Sequence, residues 1–265
     1  MSYPFLRSLL AWYFFLTLSL TAQETTFLLI RHGESEWNAL QKIQGQIDIP
    51  LSTKGLQQSE QIADFLSENH PDIVSIHSSD LVRAAITAKN LADKLNLTFS
   101  QHSSLREIGR GDAEGLTYTG KKEVYDSLAK TLDEMYPNRT DRWKVSEVPG
   151  SETYEQASCR IRSTLEKIGS TNLEKKAAII THGALIEVFL VDIGACETNL
   201  HLPNCSIVEI SYCPTRKHEP FQLIQISSPL TIDRLKHPAC LKNPESLVSS
   251  LLFPLKRSIP SKEYA

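Results

Sequence analysis

Three stretches of this chain place a histidine or an arginine at or shortly after the end of a β-rich run. Arg31-His32-Gly33-Glu34-Ser35-Glu36-Trp37-Asn38 follows Thr26–Ile30, Ser78-Ser79-Asp80-Leu81-Val82-Arg83 follows the run from Asp72 to Ile76, and Thr181-His182-Gly183 follows Ala178–Ile180. An imidazole attacks phosphorus when one ring nitrogen is free and the other is held by a hydrogen bond. Guanidinium groups such as Arg31 grip phosphate oxygens through paired donors, and the Ser35 hydroxyl and Asn38 carboxamide can add neutral donors. Arg83 falls in a first helical turn if Asp80 caps the helix, and a cation there opposes the helix dipole. An anion is its natural partner. His182 is placed to donate to a transferring phosphoryl oxygen. Gly183 permits close approach, and the helix after it can offer backbone N–H groups to an anion.

Each piece is weak by itself. Arg-His-Gly arises by chance about once in ten thousand positions, a lone histidine is more often a satisfied core residue, and a surface arginine is commonly solvated. The same kind of element at successive strand ends is what makes coincidence a poor account. A fourth piece, Leu105-Arg106-Glu107-Ile108-Gly109-Arg110-Gly111-Asp112-Ala113-Glu114-Gly115-Leu116-Thr117, carries a glycine at every other or every fourth step, as a loop with unusual backbone angles would. Glu107, Asp112 and Glu114 are its candidates for the proton donor that a leaving alkoxide needs. Spacing alone does not choose among them, and the bland alternative is an exposed acidic loop.

The elements that must hold these residues can be read from the hydrophobic pattern. Thr26–Ile30 is a continuous apolar run, as in a strand buried on both faces. Ser52 or Thr53 can cap a helix running through Leu66. A strand from Asp72 to Ile76, a helix from Asp80 to Leu95, a helix from Ser151 to Gly169, a strand from Lys176 to Thr181 and a helix from Gly183 to Asp192 follow. Later strands span Cys205 to Tyr212 and Phe221 to Ile226. This alternation predicts an α/β fold, a three-layer α-β-α sandwich around a mainly parallel sheet, in which ligands bind beyond the carboxyl ends of the strands.

Composition sets the outer bounds. At 265 residues, 41% hydrophobic and 22% charged, the chain can bury a full core, and its net charge of −3 offers no footprint for nucleic acid. A small anionic substrate must then be drawn by a local cluster of positive charge. Residues 1–22 have Arg7 as their sole charged side chain, an apolar centre too short to span a bilayer and a small residue at Ala22. They read as a secretory signal peptide, which predicts export and no stable membrane span after cleavage. An uncleaved membrane anchor and a cytoplasmic protein are the alternatives. Residues 23–226 form the expected catalytic domain. Prolines 229, 238, 244, 254 and 260 mark 227–265 as an irregular C-terminal extension. Five cysteines show no metal-site spacing. Cys196, Cys205 and Cys213 could form a disulfide in an exported protein, or serve as small buried hydrophobes.

Taken together, R-H-G-E-S-E-W-N, Gln44-Gly45, S-S-D-L-x-R-A, L-x-E-I-x-x-G-x-x-E-G-L-T and T-H-G occur in order. The chain resembles the histidine phosphatase superfamily, in the branch that holds phosphoglycerate mutases and the broad-specificity, fructose-bisphosphate and ribazole phosphatases. The resemblance covers about Thr26 to Tyr212. It implies a phosphoglycerate mutase-like fold and a phosphohistidine formed on His32. Arg31, Arg83 and His182 would make the phosphate pocket, Ser35, Asn38, Gln44, Gly45 and Gly183 would line the substrate side, and Glu107 would be the proton donor, with Glu114 structural. Ser151-Glu152 after Pro149-Gly150 is similar to the family's G-E-S helix start, although the second glycine is missing and Thr153 replaces the serine. The R-H-G-x-R-x-P and H-D patterns of the acid phosphatase branch are absent. No metal or other cofactor is expected, because the arginines would neutralise the phosphoryl charge. The expected activity is hydrolysis of a small phosphate monoester. A mutase is the runner-up, disfavoured by a short segment between Glu107 and Ser151 and by Gly183-Ala184-Leu185 where mutases resemble G-N-S. A catalytically silent binding or scaffold protein of the same fold is third, although such a chain would be expected to have lost part of the reactive set. Specificity should come from loops above the pocket, chiefly Leu116 to Val148.

Overall fold

A computed structural model describes residues 23–117, 131–132, 134–196 and 200–231. The expected leader (1–22), nearly all of the expected C-terminal extension, Cys240 and part of the Leu116–Val148 segment lie outside them. Six strands, β1 (Thr25–Arg31), β2 (Ile73–Ser79), β3 (Phe99–His102), β4 (Lys176–Thr181), β5 (Ile207–Tyr212) and β6 (Phe221–Ser227), form one sheet in the order β3-β2-β4-β1-β5-β6. β3, β2, β4 and β1 pair in parallel, while β5 runs antiparallel to both β1 and β6. The expected mainly parallel α/β sandwich is what the chain forms.

β1 occupies the centre because both of its faces are apolar. Phe27 and Leu29 point to one side, where α3 (Tyr154–Thr171) and α4 (Gly183–Asp192) supply Ile161, Leu165, Leu185 and Phe189. Leu28 and Ile30 point to the other, against Ile62 and Leu66 of α1 (Thr53–Asn69) and Ala84, Ala88 and Leu91 of α2 (Val82–Leu95). Phe27 through Ile30 are fully buried. Burying each such side chain contributes about 1.5–3 kcal/mol, so this strand is anchored from both faces.

Helix starts follow local chemistry in two cases and distant chemistry in a third. The Ser52 hydroxyl accepts from Gly55 N–H at the start of α1, and Thr153 with Gln156 forms a reciprocal capping box at the start of α3. For α2 the expected Asp80 cap is corrected. The helix starts after Leu81 with no side-chain cap of its own, and Val82 N–H donates instead to Asp48, 2.7 Å away. Asp80 is engaged elsewhere, accepting from Arg106 Nε and Nη2 at 2.7 and 2.6 Å. β3 was not expected, since Phe-Ser-Gln-His has no apolar pattern; it is an edge strand held by pairing to β2. No cysteine among the described residues is in a disulfide; Cys196, Cys205 and Cys213 are buried and Cys159 is exposed. No helix among the described residues is long and apolar enough to cross a membrane.

Candidate active site

Strand register brings the two histidines together. Arg31 of β1 lies opposite Thr181 of β4, so the next residue on each strand, His32 and His182, emerges at the same edge. His32 N–H donates to Thr181 C=O at 3.0 Å, and the two imidazoles meet edge to face with centroids 5.0 Å apart. His32 Nδ1 lies 2.6 Å from the Gly33 carbonyl. A carbonyl only accepts, so Nδ1 carries the proton and Nε2 presents its lone pair. His32 is 2% exposed, and burial, with Arg83 and Arg31 adding, holds its imidazole well below the usual histidine range. It is neutral at ordinary pH.

His182 is fully buried and neither ring nitrogen has a hydrogen-bond partner. Burial, then Arg83, His32, Arg160 and Arg31, lower its pKa well below normal. Arg83 is likewise fully buried. Its Nη1 and Nη2 donate to the carbonyls of Ile47 and Gly45 at 2.8 and 2.9 Å, while its Nε has no partner. Burial lowers its pKa to about 10, opposed by Glu107, Asp48 and Glu114, so it stays protonated. Arg31 Nη1 donates to Leu202 C=O, and its side chain lies across Gly183, where a Cβ would stand 3.2 Å from Arg31 Nε. The two imidazoles are thus in contact, and both guanidinium groups lie close enough to each of them to disfavour its protonation. Unsatisfied buried donors are costly, and an oxyanion would satisfy them.

Glu107 enters from the loop after β3. That loop is pinned to β4 by Thr181 Oγ1, which donates to Leu105 C=O at 2.8 Å. Glu107 Oε1 accepts from the N–H groups of Ile108 and Leu185 at 2.9 and 3.0 Å, and Oε2 only from Ala184 at 3.3 Å. The N–H groups of Ala184 and Leu185, which the helix after His182 was expected to offer to a bound anion, therefore go to the chain's own carboxylate. Glu114 braces the loop by accepting from Gln46 and Arg110 N–H, both at 2.9 Å. Asp112 lies in a short 3-10 turn and makes none of these contacts.

The remaining expected residues sit one layer out. Ser35 caps the short helical turn Glu36–Ala39, accepting from Asn38 N–H and donating its own proton to Gln44 Oε1 at 2.6 Å. Asn38 Oδ1 accepts from Ser35 N–H and from Asn204 Nδ2. Gly45 adopts φ +50°, and a Cβ there would fall 1.8 Å from the Glu114 carboxylate; its carbonyl serves Arg83 rather than facing the hole. Two other residues bear on the site without a motif to announce them. Asn204 Nδ2 also donates to His32 C=O at 3.0 Å. Arg160 on α3 donates to the carbonyls of Ser104, Arg106 and Glu107 and pairs with both Glu152 oxygens, tying the Glu107 loop to α3. Among the described residues no cluster of three or more His, Cys, Asp or Glu could hold a metal ion.

Comparison with known proteins places the chain in a family and agrees with its fold. The model of the histidine phosphatase superfamily (branch 1) matches residues 27–224. The uncharacterized phosphatase PhoE of Bacillus subtilis is 31% identical over 176 residues, 66% of this chain and 81% of that protein. The probable phosphoglycerate mutase GpmB of Escherichia coli is 32% identical over 188 residues, 69% of this chain and 83% of that one. Among solved structures, a phosphoserine phosphatase mutant from Entamoeba histolytica in complex with phosphoserine aligns with a TM-score of 0.63 and 27% identity, over 77% of this chain and 97% of that chain.

Proposed function

The chain belongs to the histidine phosphatase superfamily, and from that premise we propose that it hydrolyses a small phosphate monoester through a phosphohistidine on Nε2 of His32. The observation that carries this is the 2.6 Å contact from His32 Nδ1 to Gly33 C=O, which leaves Nε2 as the nucleophilic nitrogen beside His182.

In the first step the phosphoryl group lies among Arg31, Arg83 and His182. Nε2 bonds to phosphorus as the ester P–O bond breaks, and the departing oxygen takes a proton from Glu107. Oε2 is the oxygen suited to that exchange, because its single contact is the long one to Ala184. In the second step water attacks phosphorus, Glu107 takes its proton, and the N–P bond breaks to release inorganic phosphate. Catalysis rests on positioning and on charge already aimed at the equatorial oxygens. Phosphoserine, bound by the Entamoeba protein, belongs in the first substrate screen.

His32→Ala is expected to abolish hydrolysis of p-nitrophenyl phosphate, on the order of 10⁴-fold or more, with the circular dichroism spectrum unchanged. Substantial activity surviving in a clean preparation would remove His32 as nucleophile. The mutase reading is supported by the likeness to GpmB. Conversion of 3- to 2-phosphoglycerate stimulated by 2,3-bisphosphoglycerate would favour it over hydrolysis.

A further inference from the structure

The Gln44-Gly45 motif ends one residue before Gln46, which has no part in the chemistry above. Yet Gln46 sits between the two carbonyls that hold Arg83, Gly45 C=O on Nη2 and Ile47 C=O on Nη1. Its own N–H donates to the Glu114 carboxylate at 2.9 Å. The main chain there is therefore fixed twice, by the arginine of the phosphate pocket and by the carboxylate that braces the Glu107 loop. The half-buried side chain reaches the same loop, with Nε2 3.1 Å from the Glu107 carbonyl oxygen. A carbonyl only accepts, so the atom facing it is the amide nitrogen, which donates. The amide packs against Gly109, where a Cβ would stand 3.7 Å from Nε2. The same Glu107 carbonyl also accepts from Arg160 Nη2 at 3.0 Å. The Glu107 backbone is thus held by donors from two elements, Arg160 of α3 and Gln46 of the turn that supplies the Arg83 acceptors.

We infer that Gln46 is a positioning residue for Glu107: its carboxamide fixes where the backbone of the proton donor stands relative to the guanidinium of Arg83. The inference rests on the proton-donor reading of Glu107. The N–H groups of Ile108, Leu185 and Ala184 aim the carboxyl. Gln46 sets the register of that residue against the phosphate grip, through one side chain and one hydrogen bond. Without the amide, Arg160 still satisfies the Glu107 carbonyl, so its loss moves the acid and leaves the loop folded. A displacement of about 1 Å near a reaction centre can cost on the order of 10²-fold in rate. A misplaced general acid is felt most where the leaving group is a strong base.

Two monoesters offered to the full chain separate this role from a merely structural one. Phenyl phosphate releases a phenoxide that needs a proton to depart, whereas 2,4-dinitrophenyl phosphate releases a weak base that leaves without one. In Gln46→Met, which keeps the reach of the side chain and removes the donor, kcat/KM should fall about tenfold for phenyl phosphate and less than about twofold for the dinitrophenyl ester. Gln46→Ala should show the same split, and Glu107→Gln a larger one. If Glu107→Gln shows the split while both Gln46 variants lose the two activities equally, or lose neither, the inference is overturned. Equal losses on the two esters in Glu107→Gln would overturn the proton-donor reading itself and this inference with it.

Discussion

On the floor of the pocket His32, Arg83 and His182 are 2%, 0% and 0% exposed, and strand register and backbone contacts set their places. Along the rim, Arg106, Arg110, Arg142 and Arg160 are 15–37% exposed and are held by carboxylates, with Asp80, Glu147 and Glu152 as their partners. Arg83 on the floor gives its two terminal nitrogens to the Ile47 and Gly45 carbonyls and has a buried Nε with no hydrogen-bond partner. Asp80 and Glu152 each take one arginine, whereas Glu147 is shared by Arg110, Arg142 and the Tyr154 hydroxyl. A floor fixed by the sheet cannot change without disturbing the core, whereas the rim is held by side-chain ion pairs.

That contrast can be broken most severely at the floor. Arg83→Met keeps the apolar stem of the side chain but removes the donors, and should lower kcat/KM for p-nitrophenyl phosphate by about 10²–10³-fold. An effect under tenfold would mean that Arg83 serves mainly to hold the Gly45 and Ile47 carbonyls. At the rim, Arg160→Ala should act on stability first. It strands Glu152 and three carbonyls, at a cost of about 2–4 kcal/mol in denaturant unfolding, with a smaller fall in activity as the Glu107 loop loosens. If activity falls as far as in Arg83→Met while stability holds, Arg160 belongs with the floor.

The mildest expected effect is one of pH. His32 and His182 are neutral in the fold and have pKa values well below the ordinary 6.5. Unfolded chains therefore bind more protons than folded ones below about pH 6.5, so their contribution to stability is full above that value and declines as pH falls beneath it. For the same reason the acid limb of kcat/KM should lie below the ordinary histidine range; a half-maximum at pH 6.5 would show an imidazole that titrates normally.

How much of this was legible in the sequence follows the same division. The apolar run of β1, the alternation around β4 and the bounds of α4 are local patterns, and they brought Arg31, His32, Arg83 and His182 to one sheet edge as expected. The rim depends on contacts between residues far apart in the chain. Asp80 looked like a helix cap because Ser-Ser-Asp precedes an amphipathic run, but its carboxylate is taken by Arg106, and Asp48 serves the helix from 34 residues upstream. Ser35 looked like a donor to phosphate, whereas in the fold its proton goes to Gln44. Asn204 follows no motif, and its contact with the His32 carbonyl spans 172 positions of the chain. No local period encodes a partner supplied by tertiary packing.

The account is most directly tested by stopping the reaction with a ³²P-labelled monoester and locating the label on the chain. Phosphate that is acid-labile, alkali-stable and mapped to His32, and that is absent from His32→Ala, is the predicted result. Label that is stable to acid, or that maps to any other residue, would contradict it.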